Sequence, residues 1–475
     1  MTVRELFAGI ADVADDTCVV GLTCDSRRVK PGYVFVCIEG TAVDGHKFAK
    51  QVHDAGAALV VTQRQMGLER ELTVPSSRRT WAQLCANWFG NPAEQLHLIG
   101  VTGTNGKTTM TYILKSILEQ LGHKVGLIGT IQNMVGDRVM PSGHTTPDPY
   151  ELQSMLSLMS KEGCDYVVME VSSHALDQDR VEGCVFDAAV FTNLTQDHLD
   201  YHKTMEAYAA AKARLFKRAR HAILNADDPW AQTLAGGFDS AELYTYAVNA
   251  EGASYTAQDI QLRADGVTFR LCGNGEEAPL HLPIPGMFSV YNALASAACL
   301  LTLGFPFEQV VKAFAHTQGV KGRAEVVPTN RDFTMVIDYA HTPDGLDNIC
   351  RTLKECAKGR LLVLFGCGGD RDKGKRPKMA AMAAKYGDVV IVTSDNPRTE
   401  DPQAILHDVT AGLPSDCEHI VIENRIEAIS WAMHHACPGD TVLLAGKGHE
   451  TYQILKDGVI HLDEREVIAD VLASW

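Results

Sequence analysis

Short apolar runs alternate with stretches of helical spacing through the middle of the chain. Five of these runs are typical of buried parallel strands: 97–101, 124–129, 166–171, 187–193 and 221–225. Helical stretches lie between most of them, which is the pattern of a doubly wound α/β domain. We therefore predict such a domain over residues 93–320.

A second series of the same kind begins near residue 321. Its apolar runs are 334–337, 361–365, 389–392, 420–422 and 442–444. This spacing predicts a second, Rossmann-like domain over residues 321–475. Residues 253–283 have strand-like patterning with hairpin signals at Asp265-Gly266 and Gly273-Asn274-Gly275, so we expect a β-meander added to the central domain.

Residues 1–92 carry shorter β-rich runs separated by turn residues, which predicts a small N-terminal α/β module. Two polar segments follow strand-like runs there. They are Asp25 to Arg28 and the loop from Gly40 to His46. From the residues alone, each fits plain turn chemistry as well as a ligand site.

A glycine-rich stretch joins the first central strand to an amphipathic helix. It consists of Gly103, Thr104, Asn105, Gly106, Lys107, Thr108 and Thr109. Glycines let the backbone approach a phosphate, and the first amides of the helix point at it. Val101 stands where G-x-x-x-x-G-K-[ST] has its first glycine, so the loop is shorter than usual. We still predict a phosphate loop, with Lys107 for phosphate oxygens and Thr108 for Mg²⁺, over an ordinary turn.

Two further central strands end in polar groups. Glu170 closes the run 166–171, and His198 follows the run 187–193. Ligands gather at the carboxyl ends of parallel strands, so both side chains are expected to face the phosphate loop. A carboxylate there can hold Mg²⁺ beside Thr108, whereas a solvated strand end is the alternative for Glu170.

Two other polar residues sit in helical stretches. Lys212 lies among alanines, and by chemistry alone a surface lysine with a buried stem is the favoured interpretation. Asn292 begins an alanine-rich helix, where its amide suits either an adenine edge or local backbone.

In the C-terminal series, four of the five apolar runs end in polar or glycine-rich clusters: Asp338 to His341, Gly366 to Arg376, Ser394 to Arg398, and Gly446 to Glu450. One such cluster is an ordinary loop. Four at one edge of one sheet predict a binding site.

Composition limits the function classes. The chain has 475 residues and a net charge of −16, which argues against a nucleic-acid-binding surface. Thirteen cysteines lack metal-ligand spacing, and the chain shows no signal peptide and no apolar run of the length that a membrane span needs. We expect reduced thiols and a cytoplasmic enzyme of about three domains that acts as a monomer.

Six motifs, in this order, resemble those of the Mur ligases of peptidoglycan synthesis, most closely the branch that adds diaminopimelate. They are G-T-N-G-K-T-T, E-V-S-S-H, N-L-T-Q-D-H-L-D-Y-H, G-R-A-E, D-Y-A-H-T-P and G-K-G-H-E. The resemblance covers essentially the whole chain. It implies a UDP-sugar-binding N-terminal domain, a central ATP-binding domain and a C-terminal amino-acid-binding domain.

The resemblance also implies roles for individual residues. The implied ATP contacts are the phosphate loop together with Asn292, Arg323 and Asp338. The implied Mg²⁺ ligands are Thr108, Glu170 and His198. Lys212 matches a lysine carried as a carbamate, which reverses the expectation from chemistry alone, and His341 lies in a catalytic motif.

For UDP-MurNAc-L-Ala-D-Glu, the implied contacts are Ser26, Thr41, Ala42, Val43, Thr145, Thr146, Ser172, Gln178 and Arg180. His144 departs from some relatives beside Thr145. For meso-diaminopimelate they are Arg371, Asp395, Asn396, Pro397, Arg398, Gly446 and Glu450. A guanidinium such as Arg398 or Arg371 can grip the second carboxylate that distinguishes diaminopimelate from lysine.

The implied reaction is amide formation through an acyl phosphate, with Lys107, Glu170, His198, Lys212 and His341 at the centre. Two alternatives stay open at this point. One is a lysine-adding or folylpolyglutamate-type ligase of the same superfamily. The other is a nucleotide-switch ATPase that acts as a scaffold, which leaves the C-terminal clusters without a role.

Overall fold

The computed structural model describes residues 1–40, 43–236, 242–263, 266–317 and 319–475, apart from the side chain of Asp200. The chain separates into two compact units. The first comprises Met1–Ser254 and Ala295–Pro306, and the second comprises Tyr255–Leu294 and Phe307–Trp475. N-terminal, central and C-terminal sheets are all present, so the predicted α/β class is confirmed.

The N-terminal part of the first unit is a small parallel sheet. Its strands pair in the order β1 (Gly21–Thr23), β2 (Tyr33–Val36), β3 (Leu59–Thr62) and β4 (Glu71–Thr73). The helices are α1 (Val3–Leu6), α2 (Ala49–Asp54) and α3 (Ser77–Trp88). Thr2 caps α1 through a reciprocal capping box with Glu5, and Ser76 caps α3. Strands β1 to β3 are largely buried, because α3 and the N-terminal residues cover one face with Leu6, Trp81 and Leu84, and α2 covers the other with Ala49 and Val52. Strand β4 is more exposed.

The central part of the first unit is built on one sheet. Its strands are β5 (His97–Thr102), β6 (Val125–Ile128), β7 (Asn133–Val135), β8 (Arg138–Met140), β9 (Tyr166–Glu170), β10 (Phe186–Phe191), β11 (Ala219–Asn225) and β12 (Glu242–Ala247). Within this unit they lie in the order β12-β11-β10-β5-β9-β6-β7-β8. The pairs β6–β7 and β7–β8 are antiparallel, and the other pairs are parallel.

Six helices connect these strands: α4 (Lys107–Gln120), α5 (Pro149–Lys161), α6 (Ser173–Asp177), α7 (Leu199–His202), α8 (Met205–Phe216) and α9 (Ala231–Ala235). Strand β5 pairs with β9 on one side and β10 on the other. The strand order therefore reverses at β5, which is where ligands bind in open α/β sheets.

The second unit begins with the predicted meander. Its antiparallel strands are β13 (Tyr255–Arg263), β14 (Gly266–Gly273) and β15 (Glu276–Leu282). Asn274 and Gly275 have φ of 55° and 79°, as a tight hairpin turn requires. The helices α10 (Met287–Thr302) and α11 (Phe307–Phe314) follow, and the residues of α10 up to Leu294 belong to this unit.

A six-stranded sheet forms the rest of the second unit. It contains β16 (Glu325–Val327), β17 (Thr334–Asp338), β18 (Leu361–Phe365), β19 (Val389–Val392), β20 (His419–Val421) and β21 (Thr441–Ala445), in the order β16-β17-β21-β18-β19-β20. All neighbours are parallel except β16 and β17. A separate hairpin pairs β22 (Tyr452–Leu455) with β23 (Gly458–His461).

Alternate residues of this sheet enter two cores, as the pleat of a strand dictates. In β18, Val363 packs on one face with α12 (Pro343–Cys356), α13 (Lys375–Tyr386) and α14 (Pro402–Thr410), while Leu364 packs on the other with α15 (Arg425–His435) and α16 (Glu464–Ala473). Strands buried on both faces explain why the apolar runs were continuous.

The structure also refines the sequence predictions. The strands of both βαβ series lie within three residues of the predicted runs. All thirteen cysteines lie within the described residues and are free thiols. Among the described residues, every helix is too short or too polar to cross a bilayer.

Candidate functional site

The turn from β5 into α4 is shaped by two glycines. Gly103 and Gly106 have φ of 152° and 86°, a region that favours glycine. A Cβ on Gly103 would lie 1.9 Å from Thr192 Oγ1. The end of β10 also holds the loop, because the backbone N–H of Thr104 donates to Asn193 O at 2.8 Å and that of Asn105 to Asn193 Oδ1 at 2.9 Å. The loop is therefore preformed.

Two lysines meet at one carbonyl of this loop. Lys107 Nζ donates to Gly103 O at 2.9 Å and to Thr104 O at 2.8 Å, and Lys212 Nζ donates to Gly103 O at 2.8 Å. Only 1 % of Lys212 is exposed, so the expected surface lysine is in fact a core residue. Burial, reinforced by the charge of Lys107, holds the pKa of Lys212 well below its usual value, against an opposing effect of Asp197.

Glu170 ends β9 beside the start of α4. Thr108 Oγ1 donates to its Oε1 at 3.0 Å, and the backbone N–H of Thr130 donates to the same oxygen at 2.8 Å. Thr130 Oγ1 donates to Oε2 at 3.0 Å. Only 1 % of Glu170 is exposed, and a Cβ on Gly129 would lie 2.5 Å from Oε1. The buried carboxylate is not the solvated strand end that was the alternative.

These oxygens suit Mg²⁺. The ion commonly takes one or two protein oxygens and completes its shell with water and substrate phosphate. Thr108 and Glu170 supply such a pair at the N-terminus of α4. Within the described ranges, no group of three or more His, Cys, Asp or Glu residues is arranged to hold a metal.

His198 lies in an aromatic cluster next to the loop. It has φ of 53°, precedes α7, and its ring lies 4.8 Å from that of His174 and 6.1 Å from that of Tyr208. Tyr208 in turn places its hydroxyl 3.3 Å from Thr104 Oγ1, and its ring 4.5 Å from Lys212 Nζ. His198 is thus one aromatic residue away from the loop.

The residues expected to contact the muramoyl dipeptide form one network. Thr146 Oγ1 donates to Glu170 O at 2.8 Å and accepts from the Ser172 backbone N–H at 3.0 Å. Arg180 donates to Thr146 O at 2.9 Å and, through two nitrogens, to Gln178 Oε1. Thr145 Oγ1 lies 3.0 Å from Thr130 Oγ1. The network begins at the carboxylate that Thr108 contacts.

A cavity of about 630 Å³ adjoins this network in the first unit. Gln178 and Arg180 line one part of it, and residues around β1 line another. Its basic and aromatic side chains include Arg28, Arg78 and Trp81, which suit an anionic nucleotide-sugar.

Of the residues expected at the uridine diphosphate end, Ser26 lies between the lining residues Asp25 and Arg28. Val43 is exposed and its carbonyl accepts from the Gly40 N–H at 3.0 Å. Thr41 and Ala42 lie outside the described residues.

In the second unit, the turn before β16 meets the end of β17. Asp338 accepts from the Ala324 backbone N–H at 2.7 Å and from the Ala340 N–H at 2.8 Å, while the Arg323 guanidinium lies 4.9 Å from the Tyr339 ring centre. His341 Nδ1 donates to Tyr339 O at 2.8 Å, so its Nε2 is the nitrogen that can accept a proton. Asn292 is buried in α10.

A fully buried ammonium gathers three of the expected amino-acid contacts. Lys447 Nζ lies 3.2 Å from Asp395 Oδ1, 3.1 Å from Asn396 Oδ1 and 3.1 Å from Glu450 Oε2. Asn396 Nδ2 also donates to Glu450 Oε2 at 3.0 Å. The third and fourth polar clusters predicted from the sequence are thus brought together.

Arg398 joins the cluster after β18 to the cluster after β19. Its Nη1 donates to Gly369 O at 2.8 Å, and a Cβ on Gly368 would lie 2.9 Å from that nitrogen. Gly369 also packs against Pro397, since a Cβ there would lie 1.9 Å from Pro397 O. Arg371 is exposed and donates to Asp370 O at 3.0 Å.

Other polar residues hold these loops and were not predicted. Arg425 is buried, donates to Glu464 Oε1 at 2.8 Å, and reaches Ala445 O at 2.9 Å, one residue before Gly446. The Gln453 amide donates to Asp395 O. Lys447 belongs to the motif G-K-G-H-E, but Arg425, Gln453 and Thr130 lie outside every motif recognised in the sequence.

His449 belongs to the same edge of the C-terminal sheet. Its ring lies 4.9 Å from that of Tyr339. Burial, together with the charges of Arg323, Arg465 and Lys321, lowers the pKa of His449 to about 4. It is therefore neutral at pH 7 and adds no charge to this group of cations.

Comparison with known proteins agrees with this arrangement. Residues 101–300 match the family model described as Mur ligase middle domain, residues 322–448 match Mur ligase, glutamate ligase domain, and residues 19–81 match Mur ligase family, catalytic domain. Among curated relatives, UDP-N-acetylmuramoyl-L-alanyl-D-glutamate--2,6-diaminopimelate ligase of Caldanaerobacter subterraneus is 48 % identical over 96 % of this chain and 95 % of that protein. The protein of the same name from Geobacillus kaustophilus is 47 % identical over 94 % of each.

Solved structures agree at the level of the fold. A structure titled UDP-N-acetylmuramoyl-L-alanyl-D-glutamate--2,6-diaminopimelate ligase covers 100 % of this chain and 99 % of its own, with a TM-score of 0.76 at 33 % identity. MurF from Acinetobacter baumannii covers 99 % and 98 %, with a TM-score of 0.62 at 20 % identity, which shows the fold alone. Both the sequence and the fold comparisons thus lead to one conclusion: the chain belongs to the Mur ligase family.

Proposed function

We propose that this protein is an ATP-dependent ligase that joins meso-diaminopimelate to UDP-MurNAc-L-Ala-D-Glu. The observation that carries the proposal is the position of Glu170. One side of its carboxylate contacts Thr108 of the phosphate loop, and the other side contacts Thr130, which adjoins Thr145. The proposed phosphate loop and the proposed substrate-binding network therefore share one buried acidic group. The names of the curated relatives support the same reaction.

The reaction begins with a carboxylate, which is a poor electrophile. Transfer of the γ-phosphoryl group of ATP to the D-glutamyl carboxylate forms an acyl phosphate and ADP. The amine of diaminopimelate then attacks the carbonyl carbon, a proton leaves the nitrogen, and phosphate departs as the amide forms. Mg²⁺ bound at Thr108 and Glu170 would neutralise charge on the transferring group.

Within this scheme Lys107 turns from the loop carbonyls toward the phosphate oxygens. The acceptors Gly103 O and Thr104 O belong to the loop that would surround the phosphates, so the movement is short. Positioning and preorganised charge then supply most of the rate gain. Asn292, Arg323 and Asp338 remain proposed ATP contacts.

Lys212 is proposed to be carbamylated. Burial and the charge of Lys107 lower the pKa of Lys212, which favours the neutral amine, and a neutral amine can add to CO₂ with loss of a proton. The product is an anion, which would attract the ammonium of Lys107 beside Gly103 O. His198, near Tyr208 and Lys212, is proposed to assist at a second Mg²⁺.

Diaminopimelate is proposed to bind at the edge of the C-terminal sheet. Asp395 and Glu450 supply carboxylate oxygens for an ammonium group, while Arg398 and Arg371 supply guanidinium groups for a carboxylate. Asn396, Pro397 and Gly446 shape the same loops. His341 Nε2 is proposed to accept the proton from the attacking amine.

The direct test measures phosphate release from ATP with UDP-MurNAc-L-Ala-D-Glu present and either meso-diaminopimelate or L-lysine added. We expect release only with the dipeptide, and far faster release with diaminopimelate than with lysine, with the tripeptide product identified by mass. Equal stimulation by lysine favours the lysine-adding alternative. Hydrolysis that needs no dipeptide favours the nucleotide switch and contradicts the ligase.

We further propose that the enzyme acts in the cytoplasm as a monomer. The cytoplasm is where its nucleotide substrates are made, and the thiols are free. Size-exclusion chromatography with light scattering is expected to give a mass near 51.7 kDa. A dimer mass contradicts the second part of this proposal.

A further inference from the structure

Thr130 occupies a junction in the first unit that no assigned role explains. It follows β6, and its side chain is partly buried between the carboxylate of Glu170 and the hydroxyl of Thr145. Its Oγ1 lies 3.0 Å from Glu170 Oε2 and 3.0 Å from Thr145 Oγ1, and both are within donating geometry. The first neighbour is the proposed metal carboxylate, and the second is a proposed dipeptide contact.

A threonine hydroxyl has one proton, so Thr130 cannot donate fully to both neighbours at once. An ionised carboxylate is the stronger acceptor, because a hydrogen bond to a charged group is roughly twice as strong as one between neutral groups. Without a cation near Glu170, the proton of Thr130 therefore favours Oε2 over Thr145.

A divalent cation at Thr108 and Glu170 changes that preference. It withdraws electron density from the carboxylate and weakens its pull on the Thr130 proton, which then turns toward Thr145. A hydroxyl that accepts a hydrogen bond becomes a better donor itself. Thr145 then donates more strongly to an anionic group of the dipeptide.

We propose that Thr130 couples the metal–nucleotide site to the dipeptide site, so that Mg²⁺-nucleotide raises the affinity for the muramoyl dipeptide. The proposal rests on the proposed function, because it takes Mg²⁺, nucleotide and dipeptide as ligands. Coupling free energy is reciprocal, so the dipeptide raises the affinity for Mg²⁺-nucleotide by the same factor. One hydrogen bond predicts a factor of about five to ten.

Other groups hold this region whatever the Thr130 hydroxyl does. The backbone N–H of Thr130 donates to Glu170 Oε1, and Thr146 Oγ1 donates to the backbone carbonyl of Glu170. Replacement of Thr130 by valine keeps the backbone donor and the shape of the side chain and removes only the hydroxyl. Thr130→Val therefore tests the coupling rather than the fold.

The experiment is calorimetric titration of UDP-MurNAc-L-Ala-D-Glu into the full chain with a non-hydrolysable ATP analogue, either with Mg²⁺ or with EDTA. The ratio of the two Kd values measures the coupling. We expect a ratio of about five to ten for the unmodified chain and for Thr130→Ser, and a ratio near one for Thr130→Val. Thr111→Val is the matched control, because it removes a hydroxyl that donates to Thr108 O and does not touch Glu170.

The outcomes separate this inference from the proposed function. If the unmodified chain binds neither dipeptide nor analogue, the proposed function fails. If it binds both and Thr130→Val keeps the original ratio, or Thr130→Ser loses it, the coupling through the hydroxyl is wrong and the function stands. Thermal unfolding checks each variant, and if Thr130→Val does not fold, Thr145→Val must abolish the ratio instead.

Discussion

At the scale of single residues, Lys212 shows how the fold sets a functional state. Its ammonium would be buried beside Lys107, with the carbonyl of Gly103 as a shared acceptor. Two cations there repel each other, and desolvation penalises the charged form further. Both effects lower the pKa of Lys212, and burying this side chain carries a cost in free energy that a non-ionisable residue would not carry.

The first prediction follows from that cost. The unfolded chain binds a proton at Lys212 that the folded chain lacks, from its lowered folded pKa up to the usual value of 10.5, so the free energy of unfolding rises with pH in that window. Lys212→Met has no such slope. We expect it to be more stable than the unmodified chain at pH 7, with the difference shrinking toward pH 10.5, and about 100-fold less active.

Denaturant unfolding in CO₂-free buffer at several pH values measures this difference. Lys115→Met is the control, because that buried lysine pairs with Glu119 at 2.5 Å and its removal should lower stability. If Lys212→Met is less stable than the unmodified chain at pH 7, the ammonium is charged and satisfied in the fold, contrary to the prediction.

Arg398 carries the second prediction. Its Nη1 is held by Gly369 O, and a guanidinium fork matches the far carboxylate of diaminopimelate, which lysine lacks. We expect Arg398→Ala to lower kcat/KM for diaminopimelate about 100-fold and to change the weak reaction with L-lysine by less than about threefold.

Steady-state phosphate release with each amino acid measures this selectivity. Arg351→Ala removes an exposed guanidinium from α12 that contacts Asn348, and it should change neither reaction. If kcat/KM falls equally with both amino acids, Arg398 only positions its loop and does not bind the far carboxylate.

At the scale of elements, the turn from β5 to α4 depends on the absence of a side chain. Gly103 combines positive φ with a Cβ position occupied by Thr192 Oγ1. We expect Gly103→Ala to push the loop off the end of β10 and to weaken binding of an ATP analogue at least 100-fold, because the backbone amides no longer converge on the phosphates.

Gly122→Ala is the control that separates the steric clash of a new Cβ from the backbone strain of a positive φ. Gly122 follows the C-terminal cap of the same helix with φ of 94°, but a Cβ there meets nothing within 4 Å. It should cost about 1 kcal/mol of stability and leave nucleotide binding intact. Calorimetric titration of the ATP analogue into each variant measures the two affinities. If they are comparable, the role given to Gly103 is contradicted.

The elements that the sequence predicted well are the parallel strands. β18 and β21 are buried along their whole length, so their apolar residues are continuous and easily recognised. The hairpins β7–β8 and β22–β23 were not predicted from the sequence, because their strands are short and partly exposed; Val459, for example, is 65 % exposed. Such strands form through packing against their neighbours and leave no clear hydrophobic pattern in the sequence.

The site divides along a similar line. Residues that belong to motifs, such as Thr108, Glu170 and Asp395, could be named from the sequence, because phosphate and amino-acid chemistry needs those groups at strand ends. Thr130, Gln453 and Arg425 hold such groups through contacts of 40, 58 and 20 residues of separation. Their function exists only in the folded chain, so no local pattern indicates it.

At the scale of the whole molecule, the proposed assignment gives the two compact units different ligands. In the proposed assignment the dipeptide meets segments of the first unit only, namely those around Ser172 to Arg180 and Thr145. Diaminopimelate meets segments of the second unit only, around Gly368, Asp395 and Glu450. Because a ligand stabilises the structure that it binds, each should slow amide exchange in its own unit.

Hydrogen exchange followed by mass spectrometry tests this division. With dipeptide alone at about 100 times its Kd, local opening in residues 142–146 and 172–180 should fall about 100-fold, while residues 366–371, 395–398 and 446–454 keep their rates. Diaminopimelate alone should give the reverse pattern. An unrelated nucleotide-sugar lacking the dipeptide is the control for the first experiment. Protection of residues 142–146 by diaminopimelate alone contradicts the assignment, because it would place the amino acid among the groups that hold the acceptor.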